Sequence, residues 1–243
     1  MKVFVEAVDL YTPGIPDWES MKLILRGLPI KRNTEEPSRY KPTTLPRNES
    51  RRATELIRLA FRLLERVKSC TEIDISQIPS VFASSGGDYD VIHKICSALV
   101  RQDKSISPID FHNSVHNAAS GYWSIATNNH YSSISLSAYE NTFPVALVES
   151  SVYCTFENKP TLLVAYDIPA PEPLSQVCST TVSFGTVLLL TPAQTPRSIA
   201  SLEIEISQTI ERDTPISCKE IEGLPRKNPI ARSLNLLEAL TKD

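Results

Sequence analysis

The chain has 243 residues, of which 41% are hydrophobic and 22% charged, and its formal net charge is -3. This composition predicts one or two globular domains with a sizeable core. It argues against nucleic acid or an anionic membrane surface as a partner, because no basic excess is present.

The N-terminus and the cysteines indicate a cytoplasmic protein. Glu6 and Asp9 interrupt the first apolar run, which therefore resembles a strand more than a signal peptide. The longest apolar runs, such as residues 187–190, are far too short to span a bilayer. The five cysteines are widely spaced and form no CxxC pair, a pattern typical of reduced thiols.

The first quarter of the chain alternates between a strand and a long helix. Residues 1–8 are predicted to form a strand, and residues 18–25 could form either a short helix or a strand. Residues 31–48 form a polar, proline-bearing loop, which is either functional or an insertion. Ser50 is the predicted N-cap of an amphipathic helix over residues 51–68.

A buried strand is predicted over residues 79–84, followed by Ser85-Gly86-Gly87 and a helix over residues 89–99. The glycine pair after a strand could suggest a phosphate-binding loop. The segment lacks the lysine of such a loop, so a simple turn is the preferred interpretation.

Residues 107–148 contain the pattern most relevant to function. An apolar helix is predicted over residues 117–125 and a strand over residues 133–138. The strand ends at Tyr139-Glu140-Asn141, and a helix follows over residues 142–148. An abrupt strand-to-helix turn places a residue at a helix N-terminus, as in nucleophile elbows.

Strands are predicted over residues 161–165, 181–190 and 199–207, and an amphipathic helix over residues 230–240. This mixed order of strands and helices predicts an α/β layered fold.

The segment 107–148 resembles the nucleophile region of β-ketoacyl-ACP synthases. Ser107-Pro108 matches a Ser-Pro of that family, Asn117 its Asn, Ser120-Gly121 its Ala-Gly, and residues 133–137 the strand before the active-site Cys. The resemblance implies the thiolase-like α-β-α fold with a reduced second half, in a single domain over residues 1–243 that is best matched at 79–173.

The same resemblance places the family's nucleophilic Cys on Glu140. A glutamate cannot accept and transfer an acyl chain as a thiolate does. The family also needs two histidines after the nucleophile, and this sequence has none after His130. Glu140 is therefore interpreted either as a plug in a degenerate site or as an ordinary acid in a first helical turn.

Bulky side chains in this segment are candidates for an acyl tunnel or a subunit interface, although packing alone would also explain them. The candidates are Phe111, His116, Asn117, Tyr122, Trp123, Ile134, Leu136 and Tyr139. His112 and His116 are four residues apart, but no third ligand is evident, so neither a metal nor another cofactor is predicted.

The resemblance is greatest to the chain-length-factor partners of ketosynthases, in the short bacterial form of aryl polyene-type pathways. It implies a non-catalytic subunit that pairs with a catalytic ketosynthase and bounds its acyl tunnel. An acyl carrier protein would bind the complex. One alternative is an enzyme, either a malonyl-ACP decarboxylase or an acyltransferase of the thiolase-like superfamily. Another is a scaffold protein with no acyl chemistry.

Overall fold

The structure, a computed structural model, describes residues 1–30, 39–208 and 214–242. Within these ranges the strands are β1 (Lys2–Tyr11), β2 (Ser80–Ala83), β3 (Ser133–Leu136), β4 (Thr161–Asp167), β5 (Phe184–Thr191) and β6 (Ala200–Glu203). They form a six-stranded sheet in the order β3-β2-β4-β5-β1-β6. The strands that follow the proline-rich turn after β4 therefore extend the same sheet.

The sheet is mixed. Strand β2 runs parallel to both β3 and β4, whereas β5 runs antiparallel to β4 and to β1. The carboxyl ends of β1, β2, β3 and β4 consequently lie at one edge of the sheet. This is the edge at which α/β folds bind their ligands.

Nine α-helices are described. They are α1 (Trp18–Leu25), α2 (Arg47–Arg52), α3 (Glu55–Cys70), α4 (Tyr89–Leu99), α5 (Pro108–Asn113), α6 (Ala118–Thr127), α7 (Thr142–Phe156), α8 (Leu224–Lys227) and α9 (Leu234–Ala239). Among the described residues, no helix is long and apolar enough to cross a membrane.

Helices cover both faces of the sheet and bury two apolar clusters. One cluster joins α3 and α6 to one face, with Phe61, Leu64 and Trp123 among its members. The other joins α1, α7 and α9 to the opposite face, with Met21 and Leu234 among its members. The result is the α-β-α layering that the sequence predicts.

The long helix begins later than predicted. Residues 47–52 form the separate helix α2, and Ala53 adopts an extended conformation that ends it. The N-cap of α3 is Thr54, whose side chain accepts a hydrogen bond from the Ile57 N–H at 3.3 Å. Ser50 lies inside α2 instead, so its predicted capping role is wrong.

Several boundaries also differ from those predicted. Strand β1 extends three residues further, and the predicted strand over 199–207 contains only the four residues of β6. The predicted C-terminal helix is divided into a 3-10 segment, Pro229–Ser233, and α9. Residues 18–25 are helical, and the loop over 31–48 lies partly outside the described residues.

Candidate functional site

The turn between strand β3 and helix α7 has the shape that the sequence predicts. A 3-10 turn, Tyr139–Asn141, separates the strand from the helix, and Tyr139 has a left-handed φ of 54°. Positive φ is uncommon at a residue other than glycine. The buried Thr142 hydroxyl donates to the Tyr139 carbonyl at 2.7 Å and accepts from the Ala138 N–H at 3.0 Å. These bonds stabilise a sharp turn of the kind that presents nucleophiles.

The side chains at this turn are a phenol and a carboxylate. Tyr139 is 65% exposed, and Glu140 is also exposed. The left-handed backbone occurs at Tyr139, one residue before the position that the resemblance assigns to the nucleophile. Arg232 Nη1 donates to the Glu140 carbonyl at 3.3 Å and to Asn141 Oδ1 at 3.1 Å. The C-terminal segment thus helps to hold the turn.

A buried hydrogen-bond network joins the carboxyl ends of β2, β3 and β4. Ser84 Oγ donates to Asp167 Oδ1 at 2.7 Å, and Ser85 Oγ donates to Asp167 Oδ2 at 2.5 Å. The Ser85 N–H donates to Asp167 Oδ1 at 3.0 Å. Ser137 Oγ, just before the sharp turn, donates to the Ser85 carbonyl at 2.7 Å. A chain of hydrogen bonds therefore links Ser137, just before the turn, to a carboxylate from another strand.

The Asp167 carboxyl is almost fully buried, with 2% of its residue surface exposed. Burial raises the pKa of Asp167 to about 6. Hydrogen bonds from Ser85 and Ser84, and the charge of His116, act in the opposite direction and limit the rise. Loss of water around the carboxylate outweighs these favourable interactions.

We expect Asp167 to make the protein less stable as the pH rises from 4 to 7. The pKa of Asp167 is about 6 in the folded state and has its ordinary value of 3.8 in the unfolded state. Between pH 3.8 and pH 6 the folded state therefore binds more protons than the unfolded state. Stability from this group is complete below pH 3.8 and is lost as the pH rises through 6. The free energy of unfolding should fall by about 2 kcal/mol from this source.

Urea unfolding at pH 4 and pH 7 measures this effect in the wild type and in the Asp167→Asn variant. Asn does not titrate, so the stability difference between the two proteins should change by about 2 kcal/mol over this range. Asp9 and Asp88 also have raised pKa values, but they remain in both proteins and cancel in the difference. A difference that is independent of pH would show that Asp167 has an ordinary pKa.

The segment after β2 is the simple turn that was predicted. The Gly87 N–H donates to Ser84 Oγ at 3.0 Å, and Gly87 has a φ of 70°. A side chain at Gly86 would collide with Tyr89, whose hydroxyl would lie 1.8 Å from the added carbon. The positive φ favours glycine at Gly87, and a side chain at Gly86 would require the Tyr89 ring to move.

His116 lies beside this network, at a cavity of about 230 Å³ that Ser84 and Tyr166 also line. Its Nε2 is 3.0 Å from the Leu136 carbonyl oxygen. A carbonyl can only accept, so Nε2 carries the proton in this contact. The described residues include no group of three or more His, Cys, Asp or Glu side chains arranged to hold a metal ion.

A sequence profile of the family described as "Beta-ketoacyl synthase, N-terminal domain" matches residues 27–243. The chain belongs to the β-ketoacyl synthase family. This confirms the resemblance that the segment 107–148 indicates. Comparison with curated protein sequences gives no match.

Solved structures show the same fold for this synthase-family chain. It is similar to "Ketosynthase (ApeO) in Complex with its Chain Length Factor (ApeC) from Xenorhabdus doucetiae", with 24% identity, 93% of this chain and 92% of that chain covered, and a TM-score of 0.64. It also matches a complex of the acyl-carrier protein AntF with its ketosynthase AntDE, at 14% identity and a TM-score of 0.64. The ishigamide ketosynthase/chain length factor matches at 11% identity and a TM-score of 0.60. Each of the last two alignments covers 78% of this chain and 62% of the other.

The candidate residues of this synthase-family chain fall into two groups. His116 and Leu136 contact each other beside the turn at Tyr139. Ile134 and Leu136 are half-buried on β3, an edge strand whose outer side is not paired by any described strand. Phe111 is 69% exposed.

Tyr122 and Trp123 lie in the core instead, with 2% and 1% of their surfaces exposed. The Trp123 ring packs edge-on against Phe61 of helix α3, with centroids 5.8 Å apart. The Tyr122 hydroxyl donates to Asn113 Oδ1 at 3.1 Å. Burial within the chain itself does not fit the interface interpretation of these two aromatics.

The candidate Asn117 directly precedes α6. Its side chain forms no cap bond, and its carbonyl accepts a hydrogen bond from the Ser120 hydroxyl.

Sequence reasoning missed Asp167 and the two serines that contact it. Ser84 and Asp167 are 83 residues apart in the chain, so no local pattern connects them. The positions of Ser84 and Asp167 relative to the predicted strands could have indicated this contact. Both residues stand at the carboxyl ends of predicted strands, which meet at one sheet edge if the strands are parallel.

Proposed function

We propose that the chain is a non-catalytic, chain-length-factor-type subunit that pairs with a catalytic β-ketoacyl-ACP synthase. The observation that carries this proposal is a nucleophile-type turn with Tyr139 and Glu140 in place of a cysteine. A phenol and a solvated carboxylate do not form the thioester that condensation requires. The sequence also has no histidine after His130 to stabilise a thioester oxyanion.

The partner would bind the free side of β3. An unpaired edge strand with half-buried Ile134 and Leu136 is a surface that proteins normally cover. Phe111 would contribute exposed aromatic surface to such an interface. Two of the similar structures pair a ketosynthase with its chain length factor, which supports a partner of this class.

The subunit would act on chain length by steric exclusion. Tyr139 projects from the sharp turn into solvent, and a partner bound along β3 would enclose it next to the growing acyl chain. Overfilling a packed pocket costs about 1–3 kcal/mol, which is enough to shift product length. We place this activity in polyene-type or related fatty acid biosynthesis, with an acyl carrier protein bound to the complex.

Incubation of the purified chain with acyl-ACP and malonyl-ACP tests the loss of catalysis. We expect no covalent acyl adduct by intact-protein mass spectrometry, because no thiol lies at the turn. A catalytic ketosynthase treated identically serves as the positive control. A stoichiometric adduct on any residue would contradict the proposal.

The same samples test the enzymatic alternative. Release of CO2 from malonyl-ACP by the isolated chain, lost in the Glu140→Gln variant, would identify a decarboxylase that uses this carboxylate. Unchanged malonyl-ACP in both proteins is the expected result, since Glu140 is exposed to solvent.

A further inference from the structure

A strongly cationic pair of cavities lies at the same sheet edge as the sharp turn, but beside β1 and the first half of α3. The cavities measure about 330 Å³ and about 640 Å³, and both are lined by Arg39 and Arg58. Their charged lining residues are Arg39, Lys41, Arg47, Arg51, Arg58, Arg62 and Glu55. Six cations thus face one carboxylate in a chain whose net charge is -3. Such a concentration of one sign attracts anions.

Arg62 forms the wall of the smaller cavity next to two tyrosines. Its guanidinium stacks on the Tyr11 ring at 3.8 Å and lies 5.7 Å from the centre of the Tyr40 ring. Within the described residues, no carboxylate oxygen lies within ion-pair distance of Arg62. Arg62 also hydrogen-bonds the Tyr11 side chain, and a guanidinium has five N–H donors, so further donors remain for a ligand.

The nearby acids are already bound to other groups. Asp9 and Asp17 both pair with Arg66, at 2.6 Å and 3.4 Å. Glu65 accepts hydrogen bonds from the Tyr40 hydroxyl and from two backbone amides of the preceding loop. The nearby carboxylates are therefore shared with Arg66, Tyr40 and backbone amides, and none of them pairs directly with Arg62 among the described residues.

Arg58 makes the site rigid. It is 5% exposed, and it donates to the carbonyls of Ala53 at 3.1 Å and Tyr40 at 2.8 Å, and also to that of Ser50. Glu55 lies 3.8 Å away and is shared with Arg39. These bonds tie the loop and α2 to α3, so Arg58 and the backbone around it are held in place before a ligand arrives.

We propose that these cavities bind the phosphoryl group of a small phosphorylated ligand. Several arginines at one site favour an anion with multiple acceptor oxygens, since the guanidinium matches phosphate geometry with two parallel hydrogen bonds. Leu59, Ile168 and Pro169 provide an apolar wall for an organic group. A volume of about 330 Å³ lies within the range of small-molecule sites. This inference does not depend on the ketosynthase-partner proposal.

Calorimetric titration of the full chain with inorganic phosphate, pyrophosphate and ADP tests the proposal at low and high salt. We expect pyrophosphate to bind at low salt and to weaken as salt screens the charges. In the Arg62→Gln variant and in the Arg39→Gln variant, Kd should rise by about tenfold or more. Arg39 is exposed and lines both cavities, so its variant remains informative if Arg62→Gln fails to fold.

Arg197→Gln is the matched control, because Arg197 is exposed and pairs with Glu72 away from both cavities. Its Kd for pyrophosphate should equal that of the wild type. Tighter binding of ADP than of pyrophosphate would identify an organic phosphate ester as the ligand, whereas equal binding would identify free phosphate. No binding of any probe, or an equal loss in Arg197→Gln and the site variants, would overturn the proposal.

Discussion

The Trp123→Ala variant should lose about 3–5 kcal/mol of its free energy of unfolding, the range typical of large-to-small changes at buried aromatics. Trp123 is 1% exposed and packs edge-on against Phe61 in the cluster between α3 and the sheet. Its removal would leave a cavity under the longest helix of the described chain. Urea unfolding at pH 7, followed by circular dichroism, measures the loss.

Two further variants distinguish core packing from an interface role. Trp123→Phe keeps a ring against Phe61 and removes a buried indole N–H that has no hydrogen-bond partner among the described residues, so it should cost less than half as much. Phe111→Ala should change stability by no more than about 0.5 kcal/mol, because Phe111 is 69% exposed. A small loss in Trp123→Ala would contradict the assignment of this side chain to the core.

The aromatics of the central segment show what sequence can and cannot distinguish. The helical pattern over 117–125 predicts the helix α6, but adjacent aromatics on a short helix suit either a core or an interface. Whether these aromatics lie in the core or at an interface depends on α3, which covers that face of the sheet. Phe61 of α3 contacts Trp123, although it lies more than fifty residues earlier in the chain. This long-range contact is absent from any local pattern.

The sharp turn was more predictable, because its cause is local. A strand followed directly by a helix requires a tight connection, and the structure places one at Tyr139–Asn141. Which residue has the left-handed backbone was not predictable from the resemblance. The bonds of the Thr142 hydroxyl to the residues before it fix the left-handed conformation at Tyr139.

The N-terminus of α3 shows why a helix boundary is hard to predict when two residues could each serve as the N-cap. Ser50 and Thr54 both precede apolar positions at helical spacing, so either could cap the helix. Arg58 decides between them. Its bonds to the carbonyls of Ala53 and Ser50 hold the chain bent at Ala53, and these bonds require a buried arginine that sequence patterns assign to solvent.

The Ser135→Pro variant should lose its complex with the catalytic ketosynthase, with a Kd raised roughly 100-fold. In the β2–β3 pair, the Ser80 N–H donates to the Ser132 carbonyl and the Ser84 N–H donates to the Leu136 carbonyl. Even-numbered residues of β3 therefore pair inside the sheet, and the Ser135 N–H faces the free edge. Proline removes this donor and adds a ring where a partner strand would approach. Co-purification and size-exclusion chromatography with the ketosynthase measure the loss.

Ser135→Ala is the matched control for this prediction. Both substitutions remove the hydroxyl that lies 3.1 Å from Ser120 Oγ, but only proline removes the backbone donor. Proline is tolerated on edge strands where its nitrogen faces solvent, so the variant chain should still fold alone. If both variants bind the ketosynthase as tightly as the wild type, the partner does not pair with β3. If both fail equally, the Ser120 contact matters and the backbone edge does not.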